Sequence, residues 1–158
     1  MTTWKATSQA RGRSNVFMNI LFYLTPKASC EVLYDDESIR EALERMEISG
    51  FAALPIIHKE DGDYRGTLTD GDLLWALKNR CNFDLKEAQA HSIMEIAHRK
   101  DYLPVSVSTD MNDLLQKALD QNFVPVVDDR GTFIGIVTRR SIMAQYVESS
   151  WKKSHETA

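Results

Sequence analysis

Only two cysteines, Cys30 and Cys81, occur in the 158 residues, far apart and without a CxxC or a Cys/His cluster. That excludes a zinc knuckle and a paired redox motif and leaves two reduced, partly buried thiols as the expectation. Long apolar runs are missing too. No stretch approaches the roughly 18 to 20 residues that cross a bilayer, and the first residues lack the apolar core of a secretory signal, so a cytoplasmic protein is expected. Positive charge is in short supply: the net charge is −4 and the pI about 5.6. General affinity for DNA or RNA is not expected, and an anionic ligand would have to be met by a local cluster. His58 and His91 have no companions at metal-ligand spacing, and no nucleophile–base pair or carboxylate dyad stands apart from acids that turns and caps explain, so neither a metal site nor catalysis is expected.

What is present is an ordinary globular balance, 43% hydrophobic and 27% charged. Charge is unevenly spread. Residues 1–17 carry Lys5, Arg11 and Arg13 with no acid and little apolar periodicity, which reads as a flexible basic leader, with contact to RNA or a partner as the alternative.

The main feature is an internal repeat. Residues Glu31 to Trp75 overlay Leu103 to Met143 in the same order of parts. Each copy opens on an extended segment (Glu31 to Tyr34, Val105 to Val107) and a polar turn. A helix follows, with Ile39, Ala42, Leu43 and Met46 in one copy and Met111, Leu114, Leu115 and Ala118 in the other at i, i+3, i+4, i+7 spacing. Ser38 or Asp36 can cap the first. The helices are expected to close at Ser49 and Gly50, and at Gln121 and Asn122, through a left-handed glycine or asparagine. Phe51 and Phe123 follow at equivalent positions.

A strand then carries one proline in each copy, Pro55 and Pro125, each expected to start its strand. A polar hairpin leads to a last strand, Tyr64 to Leu68 or Thr132 to Val137, and a second helix over 73–78 or 142–147. The order is β-α-β-β-α twice, an α+β fold in which two small units share a core about a pseudo-twofold axis. The expected divisions are the leader at 1–17, repeat 1 with a lead-in helix at 18–78, a linker at 79–91, repeat 2 at 92–148 and a tail at 149–158. Between the copies, Leu85 to Ala90 and Ser92 to His98 are short helical candidates.

The doubled β-α-β-β-α order, the strand with its proline and the Gly-apolar-apolar-Thr ending (Gly66 to Thr69, Gly135 to Thr138) resemble paired cystathionine-β-synthase (CBS) domains, a Bateman module. The resemblance covers roughly Asn19 to Val147. It implies a regulatory rather than enzymatic protein that binds an adenine nucleotide (AMP, ADP, ATP, cyclic di-AMP or S-adenosylmethionine) in clefts between the repeats. It further implies no required cofactor, a homodimer, and a regulated protein acted on in trans. The alternative is a module that keeps the fold for protein interaction and has lost the nucleotide.

By that resemblance Thr69 and Asp72 hold ribose. An ionised carboxylate accepts two hydroxyl hydrogen bonds, which suits vicinal hydroxyls. The same spacing also describes a helix cap, which can coexist with that role. The second copy has Thr138 but Ser141 in place of the acid, with Arg139 and Arg140 between as phosphate-type donors. Lys27 and the His98, Arg99, Lys100 run sit in the lead-ins, with Lys27 the best ligand contact among them. Ala28, Ala52 and Ala53 are placed around the base. Trp75 and Ile142 are expected on the dimer face.

Overall fold

The computed structural model describes residues 19–96 and 102–156. The leader expected over residues 1–17 and the run at His98, Arg99 and Lys100 lie outside the described residues.

In chain order the elements are β1 (Leu24–Pro26), β2 (Leu33–Tyr34), α1 (Ile39–Ser49), β3 (Ala53–Ile57), β4 (Tyr64–Thr69), α2 (Asp70–Arg80), α3 (Leu85–Ala90), β5 (Val105–Ser106), α4 (Met111–Asp120), β6 (Phe123–Val127), β7 (Phe133–Thr138) and α5 (Arg139–His155). Short 3-10 turns stand at Ile20–Phe22, Lys27–Ser29 and Ile93–Glu95. Each repeat is the expected β-α-β-β-α unit, with a parallel pair (β2 with β3, β5 with β6) and an antiparallel hairpin (β3 with β4, β6 with β7).

Local chemistry sets the helix ends. The Ser38 hydroxyl accepts the N–H of Glu41 at 3.1 Å and the Glu41 carboxylate accepts the N–H of Ser38 at 2.7 Å, a capping box that starts α1. The helix buries Ile39, Ala42 and Met46 and closes on Gly50 at φ 72°, as expected. In repeat 2 the closure differs: Gln121 is extended, at φ −110° and ψ 144°, and Asn122 has no positive φ. Buried Gln121 ties the turn instead, its amide donating to the carbonyls of Leu103 and Phe123 and its Oε1 accepting the N–H of Leu103.

Several boundaries depart from the expectation. Pro55 and Pro125 are the middle residues of β3 and β6. Both are tolerated because β2 and β5 join only from Ile56 and Val126 onward, so each proline stands on a stretch without a partner on that side. Phe51 and Phe123 are not equivalent. Ala53 pairs with Thr69 as Phe123 pairs with Thr138, so Phe123 stands where repeat 1 has Ala53. The helix α2 takes in 70–80, past the start of the supposed linker, and α5 runs on through the supposed tail to His155. Within the described residues the Ser92 to His98 candidate is only the 3-10 turn Ile93–Glu95.

The lead-in to repeat 1 crosses to repeat 2. Strand β1 pairs antiparallel with β7, giving one sheet in the order β1-β7-β6-β5 and another in the order β2-β3-β4. Ile20 and Tyr23 join the repeat 2 core around Leu114, Val124 and Val126. The repeat 1 core gathers Leu33, Ile39, Leu54, Leu68 and Ile93. Between them the two hairpins meet reciprocally: the N–H of Tyr64 donates to the Gly131 carbonyl at 3.2 Å and the N–H of Phe133 to the Gly62 carbonyl at 3.0 Å. Phe133 is buried with Val32 and Ile57, and its ring stacks on Tyr64. The shared core expected from the repeat is therefore a seam of strand and hairpin residues.

Candidate functional site

The crossing of β1 onto the second sheet leaves a hollow between that sheet and β3. It is a cavity of about 500 Å³ lined by residues of both repeats, among them Thr25, Cys30, Glu31, Ala52, Ala53, Asn122, Phe123, Ile136 and Thr138. The small side chains Ala52 and Ala53 provide the room.

Thr138 sits at the start of α5, where its Oγ1 accepts the N–H of Ser141 at 3.1 Å, and the Ser141 hydroxyl donates to the Thr138 carbonyl at 2.8 Å. The Thr138 hydroxyl proton is a donor that this cap does not use. The Cys30 thiol donates to the carbonyls of Pro26 and Thr25 at 3.3 and 3.4 Å, and burial pushes its pKa up. It is a neutral wall of the cavity rather than a nucleophile.

The mirror-related position is built differently. At its helix start Asp72 Oδ2 accepts the N–H of Thr69 at 3.0 Å and Thr69 Oγ1 accepts the N–H of Asp72 at 3.1 Å, and Asp72 is only 3% exposed. The capping arrangement read from the sequence is therefore present. Counting back from the matched pairs Leu33 with Ile56 and Val105 with Val126, Tyr102 takes the place of Cys30. Tyr102 and Phe123, where repeat 1 has cysteine and alanine, are both buried with ring centroids 5.3 Å apart. Tyr64 fixes this arrangement by donating its hydroxyl to the Tyr102 carbonyl at 2.8 Å. Two large rings thus stand where the cavity has two small side chains.

Of the residues singled out from the sequence, the fold brings Ala52, Ala53 and Thr138 together at the cavity. Lys27 and Ala28 lie on the adjacent exposed turn, with Lys27 Nζ beside Gly62 of the first hairpin. Arg139 faces away, its guanidinium donating to the Ala118 and Leu119 carbonyls at the end of α4. Arg140 lies on the open face of α5 with Met143, Val147 and Trp151. On that face Met143, Val147 and Trp151 are exposed, whereas Ile142 packs into the repeat 2 core and Trp75 is half-buried beneath Lys78.

Thr25, Cys30, Glu31 and Asn122 line the cavity without having been foreseen, because nothing local in the sequence announces that β1 crosses between repeats. His58 bonds Asp61 at 2.9 Å and His91 bonds Glu95 at 3.2 Å. Among the described residues no group of three or more His, Cys, Asp or Glu side chains could hold a metal, and no helix is long and apolar enough to cross a membrane.

No curated protein matches the chain. Solved structures do. CbpB in complex with c-di-AMP superposes with a TM-score of 0.77 at 23% identity, covering 89% of this chain and 91% of that one. A CBS domain protein from Streptococcus pneumoniae TIGR4 gives 0.73 at 26%, covering 84% and 88%. CBSX2 in complex with AMP gives 0.66 at 24%, covering 84% and 98%. The family profile of the CBS domain matches residues 26–79 and 93–148, the two structural repeats. With the doubled β-α-β-β-α unit and its reciprocal hairpin contact, these matches place the chain in the CBS domain family, its two repeats forming a Bateman module.

Proposed function

We propose that the chain is a non-enzymatic regulatory sensor that takes an adenine nucleotide in the cavity bounded by Ala52, Ala53 and Thr138. The observation that carries this is the cavity's double parentage: its walls come from both repeats, so a ligand there touches both and can favour one arrangement over another. Its size falls in the usual range for small-molecule sites. The similar structures hold c-di-AMP in CbpB and AMP in CBSX2.

In this reading the base lies against Ala52 and Ala53, the Thr138 hydroxyl donates to ribose, and phosphate extends toward Lys27 and Ala28 on the rim. Thr69 and Asp72 form a second ribose position that opens only if Tyr102 moves aside. Arg139 serves α4, and Arg140 belongs to a homodimer face with Met143, Val147 and Trp151. Through that dimer the cytoplasmic module signals to a regulated protein in trans. A second reading, an interaction module without nucleotide, is favoured by Ser141 standing where an acid would complete the ribose grip.

Calorimetric titration with AMP, ATP, S-adenosylmethionine and cyclic di-AMP separates the two. Saturable heat with at least one of them is expected, weakened at least about tenfold by Ala52→Phe, which fills the cavity from an exposed position and leaves the melting temperature nearly unchanged. Absence of heat and of any melting shift with all four supports the second reading.

A further inference from the structure

Among the described residues that line the cavity, Glu31 is the single charged side chain. An acid is an odd choice for a nucleotide site, because a phosphate beside it is repelled. Its surroundings show that the fold does not need it there. Among the described residues it pairs with Arg45, whose Nη1 stands 3.6 Å away, beyond a hydrogen bond. Arg45 is already held by the Val32 carbonyl at 2.7 Å and by Glu37 at 2.7 Å. Glu31 can therefore turn from Arg45 with little loss, and its side chain is 42% exposed and free to do so. By the same strand register Leu103 occupies the position in repeat 2, so the unit folds without a charge at this point.

An ionised carboxylate accepts hydrogen bonds and donates none. The part of a ligand that meets it must present a donor. Nearby Ala52, Ala53 and Phe123 offer only apolar surface to the faces of a ring. We infer that Glu31 is the specificity-determining residue of the cavity, accepting a hydrogen bond from the exocyclic amine of adenine and turning the phosphates outward to the Lys27 rim. The inference rests on the nucleotide reading above and names what selects the base. A base with a carbonyl oxygen at that place, as in hypoxanthine, sets acceptor against acceptor and forfeits the hydrogen bond.

The test compares AMP with inosine monophosphate, and cyclic di-AMP with its inosine counterpart, by calorimetry on the full chain. Wild type is expected to prefer the adenine member by at least about tenfold. Glu31→Leu, the residue of the mirror position, is expected to bring the preference within about twofold by weakening the adenine member alone. Glu31→Gln is expected to strengthen the inosine member, because an amide can donate to the carbonyl. Melting curves check that both variants are folded. An undiminished preference in Glu31→Leu, or no preference in wild type, overturns the inference while leaving nucleotide binding intact. Failure of every nucleotide to bind overturns the proposed function and this inference with it.

Discussion

Arg139 donates from Nε to the carbonyl of Ala118 at 2.6 Å, across twenty-one positions of chain, so the first residue of α5 closes the last turn of α4. A second bond, from Nη2 to Leu119 at 3.0 Å, completes the fork. A cation at a helix C-terminus satisfies carbonyls that lack intrahelical partners and opposes the negative end of the dipole. Arg139→Gln should therefore lower stability by about 1–2 kcal/mol in urea unfolding and leave nucleotide affinity within about twofold. An unchanged urea midpoint with a large loss of affinity would return Arg139 to the phosphate role.

Gly135 on β7 lies opposite Pro26, and a Cβ there would come within 2.2 Å of the Thr25 carbonyl. Neither backbone can yield without separating β1 from β7. Gly135→Ala is expected to release β1, with faster amide hydrogen exchange at Thr25 and Ile136 than in wild type and loss of ligand binding, because Thr25 is a wall of the cavity. Protection equal to wild type at those amides would refute this account.

Two glutamates on one helix entrance should tilt stability against pH in opposite senses. The Glu41 carboxyl is held below its usual range by the hydrogen bonds it accepts from Ser38. It contributes stability above the unfolded carboxylate value, roughly 4.3, that is lost as pH falls through the lower folded value. Burial pushes Glu37 up, against the opposing attraction of Arg45, so its folded state favours the proton and stability falls as pH rises from the unfolded to the folded value. In urea midpoints measured from about pH 3 to 7, Glu41→Gln should flatten the acid-side loss. Glu37→Gln should remove the decline toward neutrality. Parallel curves for all three proteins would contradict the assignment.

The repeat was readable because each unit states its periodicity twice: Ile39, Ala42 and Met46 are buried along one helix and Leu114 and Ala118 along the other. The cap at Ser38 and the left-handed Gly50 follow from local chemistry, which sequence carries directly. Leu115, by contrast, fits the helical spacing yet is 40% exposed, since spacing gives a face and not its width. Matching Phe51 to Phe123 failed because the helix ends suggest one register and the strand pairing fixes another. That two-residue difference decides which cleft has small walls. The role expected of Arg139 also depended on geometry, since a helix-start arginine reads the same in sequence whether it meets an anion or a neighbouring helix's carbonyls.

Strand β1 adds a matter of timing. Leu24 is made before repeat 1, yet its partner Val137 belongs to the last strand of repeat 2. Repeat 1 has its own three-stranded sheet and core and can condense early, whereas the segment in front of it must wait for repeat 2. The cavity walled by Thr25 therefore cannot close until β7 has been made, and a nascent chain without β7 would have no such cavity.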